Sequence, residues 1–162
     1  MGLVFQTPAP FPFSIYKNLT YAPVYYGIRD KKTLEKIVEE TLKLTGLYEE
    51  VAGELHKSAL KLSGGQKQRL CIARALTVEP KVLLLDEPCS ALDVKASAKI
   101  EELLKNLKER YTIVIVPHNL AQAKRIADDV AFFQNGRLVE TKDAETFWKK
   151  PECEETKEFL KG

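Results

Sequence analysis

The chain has 162 residues, 44% of them hydrophobic, which suffices for one compact domain of ordinary size. Lys and Arg number 25 against 23 Asp and Glu, and the net charge of +2 gives no electrostatic basis for binding nucleic acid or an acidic membrane. Cys71, Cys89 and Cys153 form no CxxC pair, the aliphatic runs Val82–Leu85 and Ile113–Val116 are far shorter than the roughly 20 apolar residues that span a bilayer, and the segment after Met1 lacks the basic start of a secretory signal, so a reducing cell interior is expected.

In chain order, Leu3 to Phe5 reads as a short strand stopped by Gln6-Thr7-Pro8, with earlier strand neighbours expected to be missing. From Pro8 to Gly27 the prolines at 8, 10, 12 and 23 predict a loop-rich segment without a long helix, in which Phe11, Phe13, Tyr16, Tyr21, Tyr25 and Tyr26 supply contact area. Leu34, Ile37, Val38 and Leu42 recur at helical spacing between Asp30 and Gly46, and a shorter helix is expected from Leu47 to Leu55. A further helix follows Ser63-Gly64-Gly65 through Leu70, Ala73 and Arg74 and ends at Glu79-Pro80. Val82–Leu85 and Ile113–Val116 have the continuous apolar pattern of parallel strands buried on both faces. Between them Ile100, Leu103, Leu104 and Leu107 mark a helix capped by Asp93, so strand, helix and strand form a crossover unit. Asn119 to Asp128 is expected to be helical, Val130–Phe133 and Leu138–Val139 flank the hairpin dipeptide Asn135-Gly136, and the tail from Asp143 is charged and helix-prone.

Three groups of residues point to chemistry. Leu62-Ser63-Gly64-Gly65-Gln66 sets a hydroxyl and several backbone N–H groups at a helix N-terminus, where phosphate is stabilised; taken without its flanks, Ser-Gly-Gly is better read as an ordinary Ser cap followed by permissive glycines. Asp86 and Glu87 follow the carboxyl end of a buried strand, the edge where open α/β sheets place ligands. There Asp86 would coordinate Mg²⁺ and Glu87 would orient and deprotonate a water, against the plainer reading of an acidic strand-end turn. His118 ends the second apolar strand and is expected at the same edge, where its imidazole would donate to a terminal phosphate; a structural His is the competing account. His56 is read as a surface residue.

Taken in order and spacing, Gln6, Leu62 to Gln66, Val82 to Pro88, Ser90-Ala91-Leu92-Asp93 and His118 resemble the ATPase subunits of ABC transporters. The resemblance implies an α/β, partial P-loop NTPase-like fold: a mostly parallel sheet with flanking helices plus an α-helical signature subdomain. Residues 1–80 would hold the Q-loop strand and the helical subdomain, and 81–162 the remainder of the core. It also implies that Gln6 is the Q-loop glutamine, touching Mg²⁺ or the lytic water, and that Ser63, Gly64, Gly65 and Gln66 contact ATP held by the opposite subunit. Asp86 is then the Walker B aspartate, Glu87 the catalytic glutamate, Asp93 a D-loop residue and His118 the switch histidine. Gln6-Thr7-Pro8-Ala9-Pro10-Phe11-Pro12, Ser14 to Asn18 and Arg69 to Leu76 resemble the phosphate-import subfamily in particular. Implied partners are transmembrane permease subunits, received by the proline-aromatic segment, and a second ATPase subunit packed head to tail. The implied location is the cytoplasmic face of the plasma membrane.

The sequence departs from the family pattern at three points. It holds no Gly-x4-Gly-Lys loop to wrap the phosphates of ATP, because none of its glycines stand five apart. The expectation is a fragment that does not bind or hydrolyse ATP alone, is poorly stable and self-associates through uncovered apolar edges. Cys89 and Pro117 stand where Thr, and Thr or Ser, are usual, and Pro117, lacking an N–H, puts the aim of His118 in question. The alternative to an ATPase fragment is a non-catalytic interaction protein that lends Ser63 to a complete subunit or competes for its membrane partner.

Overall fold

The computed structural model describes residues 1–161. They fall into two compact units, Met1–His118 and the remainder from Asn119.

In the first unit, β1 (Gly2–Val4), β2 (Val82–Asp86) and β3 (Thr112–Val116) form a parallel sheet in that order, with Leu3 beside Leu84 and Leu84 beside Val114. The parallel pairing is as expected, but burial on both faces is not. Leu83 and Leu85 are 0% and 2% exposed, whereas Leu3 and Val114, on the other face, are 49% and 52% exposed. The reason is one-sided cover: helix α4 (Gly64–Leu76) packs against β1, with Ala75 at the Gly2/Leu83 face, and no helix of this unit closes the opposite side of Leu3 and Val114. Helix α5 (Val94–Leu107) forms the β2-to-β3 crossover and buries the predicted stripe Ile100, Leu103, Leu104 and Leu107.

The helical lobe joins α1 (Ile15–Tyr25), α2 (Lys31–Leu44) and α3 (Tyr48–Val51) to α4 around Ile15, Leu19, Val38, Leu42, Leu47 and Leu70. Helix α1 corrects the expectation of a loop. The prolines at 8, 10 and 12 all precede its N-cap, Ser14, whose hydroxyl accepts from Lys17 N–H at 3.1 Å. Pro23 lies in the last turn, where its missing N–H removes a single bond to the Leu19 carbonyl. Burial of Ile15 and Leu19, 1% and 0% exposed, offsets that loss.

In the second unit, α6 (Leu120–Ile126) precedes the antiparallel strands β4 (Asp129–Gln134) and β5 (Arg137–Asp143), joined through Asn135-Gly136 with φ of 51° and 75°. Those angles are the left-handed pair that a two-residue hairpin turn needs. β5 runs four residues beyond the expected Val139 before α7 (Ala144–Lys149) and α8 (Glu154–Lys161) close the chain, and Phe159 stacks on Phe132 at 4.7 Å. β1, from the segment before residue 80, pairs with β2, from the segment after it, within the first unit.

Candidate functional site

Two groups of residues carry the candidate site. The first forms where β2 and β3 end. Asp86 closes β2 on the exposed rim, and the next residue, Glu87, takes a φ of 39°. A side chain in that left-handed region costs on the order of 1–2 kcal/mol, so something must hold it there. Glu87 N–H donates to the Val116 carbonyl at 2.9 Å, tying the turn to the end of β3. The Glu87 carbonyl accepts from both the N–H and the hydroxyl of Ser90, each at 3.1 Å. Pro88 adds to the constraint by disfavouring the ordinary right-handed helical region for the residue before it.

This backbone presents the Glu87 carboxylate, one-third exposed, to two side chains from distant parts of the sequence. Gln6 Nε2 donates to Glu87 Oε2 at 3.0 Å, and His118 Nδ1 lies 3.5 Å from the same oxygen. Pro117 therefore leaves the imidazole facing the carboxylate. Gln6, Asp86, Glu87 and His118 thus share one rim of the sheet. Among the described residues no group of three acidic, His or Cys side chains is able to hold a metal unaided. The oxygens of Asp86 and Gln6 suit a hard cation that keeps waters and binds substrate phosphates as its other ligands, as Mg²⁺ does.

The second group lies at the facing starts of α4 and α5. Ser63 caps α4 in a reciprocal box: its hydroxyl accepts from Gln66 N–H at 3.3 Å, and its own N–H donates to Gln66 Oε1 at 2.9 Å. Gly64 and Gly65 are there for space. A Cβ on Gly65 would fall 2.9 Å from Ala96 Cβ, and one on Gly64 would fall 3.5 Å from Leu92 Cδ2. Asp93 caps α5 by accepting from Ala96 N–H at 2.9 Å. Ser63, Gly64, Gly65, Gln66 and Asp93 therefore belong together, with the N–H groups of the α4 start turned to one helix end.

Sequence reasoning assigned no role to several residues that hold these groups in place. Asn18, fully buried, accepts from Phe11 N–H at 2.8 Å and donates to the Phe11 and Ser14 carbonyls, which shapes the segment after Gln6. The Arg74 guanidinium stacks 4.2 Å from the Phe11 ring and donates to the Ala9 carbonyl. Ile15 and Tyr16 N–H groups donate to Lys57 and Leu55, and Ala59 N–H donates to Phe13, so this segment is stitched to the residues before Ser63. Glu50 gathers Gln66, Arg69 and Lys99. A polar residue such as Asn18 or Glu50 gives no periodic signal, because its role depends on which carbonyls and cations the fold brings to it.

Likeness to known proteins extends along the whole chain. A family model described as ABC transporter matches residues 1–90. All 162 residues align at 53% identity with a phosphate import ATP-binding protein, PstB, of Borreliella burgdorferi, covering 62% of that protein. The structure of cbiO1 from Clostridium perfringens, part of the ABC transporter complex cbiONQ, superposes with a TM-score of 0.79 at 33% identity over 93% of this chain and 60% of that one. The chain thus spans about three-fifths of the length of these relatives.

Proposed function

Because the chain belongs to the ABC transporter family, we propose that it supplies the Q-loop, signature, Walker B and switch-histidine parts of an ATPase subunit that powers phosphate import. The observation that carries this reading is the Glu87 carboxylate, held in a strained turn at the sheet rim with Gln6 and His118 directed at it. The 53% identity to a phosphate import ATP-binding protein supports the choice of solute.

ATP and Mg²⁺, when bound, bring the phosphoryl group and the ion that offsets its charge, with Asp86 and the Gln6 amide oxygen as the residues that would hold the ion. Gln6 fixes Glu87 Oε2 by donating to it, so the remaining oxygen orients a water and takes its proton as the water attacks. His118 stands beside that carboxylate, able to donate a hydrogen bond to a phosphate oxygen. The α4 start, with Ser63, Gly64 and Gly65, offers N–H groups and a helix dipole to ATP held by a second subunit packed head to tail. The aromatic side chains Phe11, Phe13 and Tyr21, whose rings lie 5.2 to 6.4 Å apart, would receive a transmembrane permease subunit. No helix among the described residues is long and apolar enough to cross a membrane. Peripheral attachment at the cytoplasmic face is the location that membership of such a transporter implies.

The test is a chimera joining this chain to the part of the Borreliella relative that it does not match. Glu87→Gln in that chimera is expected to lower ATP turnover at least about 100-fold while leaving ATP affinity within about twofold. Retained turnover refutes the assigned base. The 162-residue chain alone, which has no Gly-x4-Gly-Lys loop, is expected to show no micromolar ATP binding in an equilibrium titration, and such binding would contradict the reading of the missing loop.

A further inference from the structure

In the first unit a set of charge-assisted bonds converges on Glu50 in α3. Arg69, whose side chain is only 7% exposed, reaches both Glu50 oxygens from Nη2 at 2.9 and 3.0 Å and donates Nη1 to the Gly46 carbonyl at 2.6 Å. Gln66 Nε2 donates to Glu50 Oε2 at 2.9 Å, and Lys99 of α5 stands 3.4 Å from Oε1. Burial pushes the Glu50 carboxyl up, but the hydrogen bonds from Gln66 and Arg69 and the charges of Arg69 and Lys99 outweigh it and hold the group below its ordinary value.

The consequence for Ser63 follows from the chemistry of an amide. A glutamine side chain has a donor end and an acceptor end, and turning it over exchanges them. With its NH₂ committed to Glu50 Oε2, Gln66 must turn Oε1 the other way, where it accepts the Ser63 N–H. A donor at position 50 would favour the flipped amide and break the box. Lys99 meanwhile ties the same carboxylate to the helix that Asp93 caps, and Gly65 packs against Ala96 of that helix.

We propose that Glu50 is a positioning residue of the signature: its carboxylate sets the orientation of Gln66, and through it the geometry of Ser63 at the α4 start, and holds that start against α5. The functional part of this inference rests on the reading of Ser63 as a contact for a neighbour's ATP; the geometric part does not. Glu50 touches no substrate in this scheme.

The experiment measures amide hydrogen exchange by NMR in the full 162-residue chain. Glu50→Gln keeps the shape but has one acceptor oxygen for Arg69 and Gln66 together, so exchange at Ser63 should quicken about tenfold, while amides from Leu70 to Leu76 hold their rates. The double variant Glu50→Gln with Gln66→Glu restores a donor–acceptor pair in reversed order. In it, the carboxylate introduced at position 66 accepts from the amide introduced at position 50 with one oxygen and from the Ser63 N–H with the other. Rescue of the Ser63 rate in that variant is expected, and general loosening of the fold would not produce it. Should Glu50→Gln fail to fold, Glu50→Asp keeps the charge Arg69 needs but draws it back by one methylene, and the same quickening at Ser63 is expected. Ser63 exchange within twofold of the parent in the folded variants overturns the proposal. In the chimera, Glu50→Gln should lower kcat/KM about tenfold, and an unchanged kcat/KM overturns the functional part. If the parent chimera does not turn over ATP at all while Ser63 follows Glu50 as described, the ATPase reading fails and the positioning role stands.

Discussion

Glu79 and Glu87 each follow an element, precede a proline and carry a positive φ, 46° and 39°. Their surroundings differ. Glu79 turns the chain from α4 toward β2, with its N–H on the Leu76 carbonyl and its side chain exposed. Glu87 is pinned by Val116 and Ser90 and points its carboxylate at Gln6 and His118. The same local strain therefore serves a plain turn at one place and aims a carboxylate at two distant side chains at the other. Backbone strain alone does not mark a site; the side chains that meet the strained residue do.

Substituting both residues is the sharpest way to break this comparison. Glu87→Gly relieves the left-handed strain and deletes the carboxylate, so the chimera should lose turnover at least about 100-fold. Its stability should stay within about 1 kcal/mol of the parent, because the relief of strain offsets the added freedom of the unfolded chain. Urea unfolding and a steady-state ATPase assay measure both, and a Glu87→Gly chimera that still turns over ATP ends the distinction between the two turns. Within the lobe that carries the signature, Leu70→Ala empties a fully buried position and should cost about 2–5 kcal/mol, whereas Val114→Ala on the open sheet face should cost under about 1 kcal/mol. Equal costs would mean that the face of Leu3 and Val114 is covered in solution.

Gly65→Ala should cost about 1–3 kcal/mol, since its Cβ falls 2.9 Å from that of Ala96 and one helix start must give way. A smaller effect belongs to the second unit. The Thr156 side chain, hydrogen bonds from the Glu152 and Cys153 N–H groups at 2.8 and 3.1 Å, and the charge of Lys142 hold the Glu140 carboxyl down to about 2. Its folded value lies below its ordinary 4.5, so the unfolded chain binds the proton more readily. The stability it confers is thus present above about pH 4.5 and is lost as pH falls toward about 2. Glu140→Gln should flatten that acid limb in thermal unfolding, and an unchanged limb would remove Glu140 from the account. Smallest of all, Glu79→Gly should leave turnover of the chimera unchanged and shift stability by less than about 1 kcal/mol.

Much of this molecule was readable in advance, and the reason is local. Asp30, Ser63, Asp93 and Asn119 each accept from an N–H three residues on, and Asn135-Gly136 turns the hairpin within two residues, so spacing in the sequence suffices to place them. The apolar runs 82–85 and 113–116 likewise announced a parallel pair. That Asp86, Glu87 and His118 share a rim followed from strand ends, whereas only the family resemblance brought in Gln6, whose bond to Glu87 spans 81 positions.

What the tertiary structure alone decided are the contacts whose partners meet only after elements pack. Glu50 reaches Gln66, Arg69 and Lys99 across 16, 19 and 49 positions. No periodicity encodes that carboxylate, because its place is set by how α3, α4 and α5 come together. Helix α1 formed through Pro23 because the lobe buries Ile15 and Leu19, a gain that no local propensity contains. The open face of Leu3 and Val114 has the same origin: an apolar run states that a strand prefers burial, and only the arrangement of helices decides which of its sides receives it.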